Sequence, residues 1–274
     1  MENLNQTLER DGGVVRFRDL AGERRAVVFT HGAGMDHTVF ETQAKALHES
    51  GHRVVVWDQR GHGESALAPG HRFTAAGSLG DLVALIEQLD LERPILIGHS
   101  LGGNLSQELV RTAPERVHAL IVIGSTWNAG PLTSSERILL KLAAPSLALV
   151  PAARLPRLMA RASAVTPEAI AACETVFTRM PKRTFLDVWR ATVSLVDPTP
   201  DYRTPVPLGL IRGDRDRTGN IATAMARWAQ AEGVAEHIVA EAGHVVTLDA
   251  PEAATSEIRA MINAWESAAE EQRG

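Results

Sequence analysis

Short apolar runs alternate along the chain with longer segments in which apolar residues recur at helical spacing. Seven runs have the length of β-strands: 14–19, 26–30, 53–57, 94–98, 118–123, 207–213 and 236–240. The middle runs are apolar at almost every position, which indicates strands covered on both faces of a parallel sheet. Helices are predicted between the runs, at about 36–50, 75–91, 101–113, 219–232 and 251–267. This alternation predicts a doubly wound, mostly parallel α/β sheet.

The alternation stops between residues 128 and 200. This segment has four helical patterns, eight prolines and no good strand pattern, and the chain then returns to a strand pattern at 207–213. A chain that leaves a sheet and returns to it fits one domain with an insertion better than two independent domains. We therefore expect a core formed by residues 1–127 and 201–274, with a helical cap at 128–200.

Composition excludes several classes of protein. The chain has 274 residues, a net charge of −5 and dispersed basic residues, so nucleic acid is not an expected partner. Its one cysteine, Cys173, and the absence of zinc-type Cys/His spacing argue against a disulfide framework and a metal site. The longest apolar stretch, 139–151, is too short for a membrane span, and the N-terminal residues lack a signal-peptide pattern. We expect a cytoplasmic protein that acts on a small molecule, and its oligomeric state stays open.

One glycine-rich turn carries candidate chemistry. Residues 98–102 read GHSLG, and they lie between a buried strand pattern and a helical pattern. G-x-S-x-G in that context is typical of a nucleophile elbow, in which a strained turn holds the serine hydroxyl above the sheet. Ser100 is therefore the candidate nucleophile. The amide of Leu101, at the start of the following helix, is placed to stabilise an oxyanion.

Two further motifs accompany this turn. Residues 31–34 (HGAG) follow the strand pattern at 26–30, and residues 58–65 read DQRGHGES. Together with GHSLG they resemble the α/β-hydrolase superfamily, and the resemblance covers most of the chain outside 128–200. It implies an α/β-hydrolase fold with a helical cap, in the branch that resembles esterases and lipases. It also assigns the second oxyanion-binding amide to Ala33.

A serine nucleophile needs a general base and an acid that orients the base. In the family these follow the nucleophile in the order acid, then base. The resemblance points to His244 as the base, because it follows the last strand pattern in a segment similar to the family's G-H…P-E. The family's G-x-x-D pattern points to Asp216 as the acid, with Asp214 as a rival in the same turn. The two arginines of this turn are interpreted as solvated.

Large apolar residues at or within the predicted cap are candidates for a substrate pocket, although packing between the cap helices explains them equally well. They are Trp127, Met159, Phe177, Phe185 and Trp189. An enclosed apolar pocket excludes unpaired charge, so we expect a small, neutral substrate.

The predicted activity is hydrolysis of a carboxylic ester-like bond through an acyl-enzyme, without a cofactor. Carboxylesterase, lactonase and monoacylglycerol-lipase-like activities all fit, and a thioesterase or a cofactor-free perhydrolase could use the same residues. A lysine in the cap, Lys141 or Lys182, leaves a hydroxynitrile-lyase-like reaction as a weaker alternative. A ligand sensor derived from a hydrolase is an alternative of a different class, and an exposed apolar patch on the cap would favour it.

Overall fold

A nine-stranded sheet runs through the centre of the molecule. The computed structural model describes residues 3–271 of the chain. Its strands are β1 (Gln6–Arg10), β2 (Gly13–Leu20), β3 (Arg24–Thr30), β4 (His52–Trp57), β5 (Ala66–Leu67), β6 (Ile95–His99), β7 (Ala119–Ile123), β8 (Leu208–Gly213) and β9 (Glu236–Val239). The order in the sheet is β1-β2-β4-β3-β6-β7-β8-β9, and β5 pairs with β2.

The predicted mostly parallel sheet is confirmed. The five pairings from β4 through β3, β6, β7 and β8 to β9 are parallel, whereas β1, β2 and β5 form antiparallel pairs at one side. The sequence pattern finds seven of the strands and misses β1 and β5. Both lie at the edge of the sheet and bury little, since Leu8 is the one buried side chain of β1 and β5 has none.

Helices cover both faces of the sheet. They are α1 (Glu41–Glu49), α2 (Ala75–Gln88), α3 (Leu101–Thr112), α4 (Ser134–Leu149), α5 (Leu155–Ser163), α6 (Pro167–Arg179), α7 (Lys182–Ser194), α8 (Ile221–Glu232), α9 (Val246–Asp249) and α10 (Pro251–Glu271). In β6, Ile95 and Ile97 pack in a cluster with α1 and α10, and Leu96 packs in another with α2, α3 and α8. Successive side chains of a strand point to opposite faces, so the sheet has a core on each side.

Four helices, α4 to α7, lie between β7 and β8 and are called the inserted helices below. All of residues 128–200 are described, and they contain no strand. The two ends of this segment meet: the amide of Asp197 donates to the carbonyl of Asn128 at 2.9 Å, and that of Thr199 to Ala129 at 3.0 Å. The chain thus leaves the sheet and rejoins it at one place. No helix within residues 3–271 has the length and hydropathy needed to cross a membrane.

A buried ion pair attaches the loop after β4 to α2. The carboxylate of Asp81, on α2, is fully buried. It accepts hydrogen bonds from Arg60 Nε at 2.6 Å and Arg60 Nη2 at 2.5 Å, and from Arg10 Nε at 3.1 Å. Arg60 belongs to the DQRGHGES motif, so this residue of the motif has a structural role. Removing one partner of such a pair leaves an uncompensated buried charge.

Replacing Asp81 with Asn is expected to lower the free energy of unfolding by about 3–5 kcal/mol, because the Arg60 guanidinium stays buried without its carboxylate. Urea-induced unfolding measures the change. The control is Glu87→Gln on the same helix, whose ion pair with Arg116 is exposed and whose removal should have no measurable effect. Equal effects of the two substitutions would contradict the structural role of Asp81.

Candidate active site

The turn between β6 and α3 places Ser100 in a strained conformation. Its φ is 51° and its ψ is −119°, values that a residue with a side chain rarely adopts. The flanking glycines permit the tight approach of strand and helix. A Cβ on Gly102 would lie 1.9 Å from the carbonyl oxygen of Thr30, and one on Gly98 would lie 2.4 Å from the carbonyl oxygen of Gly102. No side chain fits at either glycine, so the motif spacing follows from the geometry.

Three side chains from separate turns, those of Ser100, His244 and Asp216, form a continuous series of contacts. His244 Nε2 lies 3.0 Å from Ser100 Oγ, and His244 Nδ1 lies 3.0 Å from Asp216 Oδ2. Asp216 follows β8, and His244 lies between β9 and α9. The rival acid, Asp214, is exposed and accepts instead from the amide of Ala242 at 3.3 Å. The structure thus brings together the three residues that the resemblance assigns, in the order that general-base activation of a serine requires.

The carboxylate of Asp216 is held in its charged form. Burial raises its pKa, but the charge and hydrogen bond of His244, with further hydrogen bonds from Thr218, outweigh burial and lower the pKa to about 2. The amide of Thr218 donates to Asp216 Oδ1 at 2.8 Å, leaving Oδ2 for the imidazole. A charged acceptor at Nδ1 keeps the proton on that nitrogen, so Nε2 is free to accept the proton of Ser100.

A second histidine supports the loop of the first. His99 is buried, and its Nε2 lies 3.0 Å from the carbonyl oxygen of His244. Burial, assisted by the charge of His244, lowers the pKa of His99 to about 3. His99 is therefore neutral near pH 7, and its Nε2–H donates to that carbonyl. It acts as a fixed hydrogen-bond donor and does not compete as a base.

The loop that carries Ala33 lies directly beside the nucleophile. A Cβ on Gly32 would lie 3.0 Å from the Cβ of Ser100. His31 holds the loop in place, because its Nε2 accepts from the amide of Gln59 at 3.0 Å and its carbonyl accepts from Gln59 Nε2 at 2.6 Å. Ala33 lines the pocket at Ser100, and Leu101 is the first residue of α3, where amides lack intrahelical acceptors. Ala33 thus lies at the pocket and Leu101 follows Ser100 directly, so their assignment as amide donors stays a prediction that fits the fold.

A buried carboxylate ties this loop to the DQRGHGES motif. Asp58 Oδ1 accepts from the amide of His37 at 2.7 Å and lies 3.0 Å from His37 Nδ1, and Asp58 Oδ2 accepts from the amide of Glu64 at 2.8 Å. Burial raises the pKa of Asp58, but its hydrogen bonds and the neighbouring histidines outweigh burial and lower it. The charged carboxylate of Asp58 therefore holds both loops in place. The role of the DQRGHGES motif is structural.

A pocket of about 540 Å³ opens at Ser100 and His244, within the size range of small-molecule sites. Met159 of α5, Phe177 of α6 and Trp189 of α7 line it, as predicted from the sequence. The inserted helices thus form one wall above the nucleophile.

Two predicted pocket residues lie elsewhere. Trp127 stacks on Trp228 of α8, with ring centroids 6.0 Å apart. Both rings belong to the core cluster between the sheet and helices α2, α3 and α8. Phe185 packs behind the pocket wall, with its ring 5.9 Å from that of Phe177 and 6.4 Å from that of Trp189. Trp127 packs from the loop after β7 onto α8, and Phe185 packs among the inserted helices. Apolar composition by itself does not distinguish such packing from lining a pocket.

The lining is also more charged than the sequence analysis predicts. Arg161, Arg215 and Arg217 contribute to it. Arg161 lies in the last turn of α5, and the other two flank Asp216. The turn arginines are exposed, as the sequence analysis expects, and they also contribute to the lining of the pocket.

Asp249 is a functional-site residue that the sequence analysis misses. Its carboxylate accepts from the amides of Thr166 at 2.8 Å, Gly243 at 2.9 Å and Val165 at 3.0 Å. These amides belong to the α5–α6 turn and to the residue before His244. The amide of Val245 also donates to the carbonyl of Ser163 at 2.9 Å. The inserted helices are therefore fastened to the loop of the base, by partners about eighty residues apart that no local pattern reveals.

Other candidate groups are occupied or distant. Lys182 Nζ donates to the carbonyls of Ala148 at 2.7 Å and Val150 at 2.6 Å, at the end of α4. Neither it nor Lys141 lines the pocket at Ser100, so neither takes the place of a lysine in a lyase-type reaction. Burial raises the pKa of Cys173 to about 12, which keeps the thiol protonated. Within residues 3–271, no group of three or more His, Cys, Asp or Glu side chains could hold a metal ion.

Comparisons with known proteins bear on the family and the fold of the chain. A family model described as the alpha/beta hydrolase family matches residues 27–258. The sn-1-specific diacylglycerol lipase ABHD11 of Mus musculus is 37% identical over 99 residues, which are 36% of this chain and 32% of that protein. Matches to the first curated relatives span about two fifths of those proteins' own length.

Solved structures match over nearly the whole chain. An esterase from Thermogutta terrifontis has a TM-score of 0.81 at 22% identity and covers 95% of this chain and 99% of its own. The enol-lactonase from Burkholderia xenovorans LB400 has a TM-score of 0.79 at 21% identity and covers 94% of this chain and 100% of its own. At this identity the likeness shows a shared fold.

Replacing Asp249 with Asn weakens the acceptor for three backbone amides, so the α5–α6 turn should open more often. Hydrogen exchange followed by mass spectrometry is expected to show faster exchange in peptides covering 163–166 and 241–245. The control is Glu252→Gln, an exposed change at the start of α10, which should leave both peptides unchanged. Unchanged exchange in the Asp249 variant would show that other contacts hold the turn.

Proposed function

The chain belongs to the alpha/beta hydrolase family, and from this premise we propose that it is a serine hydrolase that cleaves carboxylic esters through an acyl-enzyme. The observation that carries the proposal is the chain of two 3.0 Å contacts from Ser100 through His244 to Asp216 at the pocket. A serine hydroxyl is a weak nucleophile until a base removes its proton, and this arrangement supplies the base in the required tautomer.

In the first half of the reaction, Ser100 Oγ attacks the ester carbonyl carbon while its proton passes to His244 Nε2. The carbonyl oxygen becomes an oxyanion, which accepts hydrogen bonds from the amides of Ala33 and Leu101. Each such donor contributes about 2.7–4 kcal/mol to lowering the barrier in comparable enzymes. The tetrahedral intermediate collapses, the ester C–O bond breaks, and His244 gives its proton to the departing alkoxide.

In the second half, water replaces the alcohol. His244 Nε2 removes a proton from the water, whose oxygen attacks the acyl carbon of the Ser100 ester. Collapse of the second tetrahedral intermediate releases the carboxylic acid, and His244 returns the proton to Ser100 Oγ. Asp216 stays charged throughout and stabilises the imidazolium in both halves. The same residues would serve a thioester or a perhydrolase reaction, and the lipase, esterase and lactonase among the similar proteins are consistent with an oxygen ester.

A hydrolase-derived ligand sensor is the second candidate, and one observation favours it. The outer face of α4 leaves Ile138, Leu139 and Leu142 more than half exposed. Exposed apolar patches of this kind are typical of surfaces that bind other proteins. A sensor needs one slow event for each ligand, whereas an esterase turns over many times. Counting turnovers per labelled active site on acetate and butyrate esters separates the two candidates.

A fluorophosphonate should label the protein once, on Ser100, and Ser100→Ala should abolish labelling and lower kcat by about 10⁴–10⁶. Intact-protein and peptide mass spectrometry locate the adduct. The matched control is Ser146→Ala, because Ser146 lines the same pocket but has no base beside it and should leave labelling intact. Stoichiometric labelling of the Ser100→Ala variant would refute the assignment.

Replacing Asp216 with Asn should lower kcat by about 10⁴, because an amide no longer holds the proton on His244 Nδ1. Steady-state kinetics on a simple ester measure the loss. Asp214→Asn, two residues away in the same turn, should change kcat by less than about twofold. The reverse pattern would move the acid to Asp214.

A further inference from the structure

The charged side chains that line the pocket all have the same sign. Arg161, Arg215 and Arg217 are lining residues, and no Asp or Glu is among the lining residues in the described part of the chain. This local excess contrasts with the net charge of −5 of the whole chain. A concave site lined by one sign of charge raises the local concentration of ligands of the opposite sign.

Two of the arginines lie in the turn of the acid, and the third, Arg161, lies at the end of α5, which is tied to the loop of the base. Arg215 and Arg217 flank Asp216 in sequence. Arg161 precedes Ser163 by two residues, and the carbonyl of Ser163 accepts from Val245, the residue after His244. The three pocket-lining arginines therefore belong to segments that are next to the base or the acid, or are bonded to the loop of the base.

The other wall is apolar. Met35, from the loop after β3, lies in the lining together with Met159, Phe177 and Trp189 of the inserted helices. The pocket thus has a cationic wall beside the base and an apolar wall, and the inserted helix α5 contributes to both, through Arg161 and Met159.

The three guanidinium groups differ in the hydrogen bonds and ion pairs that they already make. Arg161 is exposed and has no ion pair or hydrogen bond to residues 3–271. Arg217 Nη1 donates at 3.1 Å to the carbonyls of Asp214 and Asp216. Arg215 pairs with Glu241 at 3.1 Å, but that carboxylate is 81% exposed, and such surface pairs are weak. Arg161 therefore has the most donor capacity left for an anion.

The direction of the proposed reaction decides which half of an ester meets these arginines. His244 must deliver its proton to the departing alcohol oxygen, so the alcohol half lies on the side of the base. The acyl half is then left to the apolar wall. We propose that the pocket selects esters whose alcohol half carries a carboxylate, that is, short-chain acyl esters of hydroxycarboxylic acids, with Arg161 as the main anion-binding residue.

This inference rests on the proposed function, and it revises the neutral substrate that the sequence analysis predicts. A guanidinium binds a carboxylate through two parallel charge-assisted hydrogen bonds, a geometry that a carboxamide cannot match in strength. Hydrolysis of such an ester breaks the acyl C–O bond and adds one water, giving a short-chain acid and a hydroxycarboxylate.

The test compares 4-acetoxybutyrate with the uncharged 4-acetoxybutyramide, which has the same acyl group and nearly the same shape. For the unmodified protein, the ratio of kcat/KM for the carboxylate to that for the amide should be about 10 or more. Arg161→Gln should reduce this ratio about tenfold, and Arg161→Glu should reduce it further. The control is Arg157→Gln, an exposed arginine of the same helix outside the pocket lining, which should leave the ratio unchanged.

Two further arms make the outcome decisive. Monoethyl glutarate carries the carboxylate on the acyl half of the ester, and its terminal amide carries the carboxamide there. If the kcat/KM ratio favours the carboxylate in this pair alone, the assignment of the carboxylate to the alcohol half is overturned. Thermal unfolding with 4-hydroxybutyrate or 4-hydroxybutyramide requires no turnover. A larger rise in Tm with the carboxylate, lost in Arg161→Gln, supports the anion site even if ester hydrolysis fails. Ratios near 1 in unmodified protein, together with equal Tm shifts, would overturn it.

Discussion

The close approach of α3 to the strands beneath it is the constraint on which the rest of the site depends. Gly98 and Gly102 leave no room for a Cβ, and the chain between them turns so sharply that Ser100 takes a φ of 51°. Strain of this kind costs on the order of 1–3 kcal/mol and persists only where the surroundings hold it. Here a strand that is buried at every position and a buried helix hold it. The turn therefore holds the Ser100 hydroxyl at the edge of the sheet where the loops after the other parallel strands lie.

The parallel sheet delivers the remaining groups to the same edge. Asp216 follows β8 and His244 follows β9, and these strands are neighbours. Two carboxylates, the buried one of Asp58 and the half-buried one of Asp249, hold these loops in position. Asp58 binds the amides of His37 and Glu64, and Asp249 binds amides on both sides of the pocket. A carboxylate that accepts several backbone N–H groups satisfies donors that would otherwise be buried without partners.

The pocket combines two contributions with different chemistry. The inserted helices supply apolar residues and one arginine, Arg161 of α5, while the turn of the acid supplies two further arginines. The tie between Ser163 and Val245 brings these parts together. Substrate choice is therefore expected to depend on the inserted helices and their attachment, whereas bond cleavage depends on the sheet and its turns. This division explains how one fold supports many hydrolytic specificities.

What the sequence by itself determined is local or carried by motifs. The strand and helix patterns recover the parallel sheet, because burial on both faces leaves a continuous apolar run. The GHSLG spacing indicates the elbow, because glycines are needed where backbones touch. Only the tertiary structure decided which side chains meet across the pocket. Trp127 and Phe185 pack away from it, Arg161 and the arginines beside Asp216 contribute to its lining, and Asp249 ties its two neighbouring loops together. These outcomes depend on how separate elements pack, and hydrophobicity or charge at one position does not specify the surface it will face.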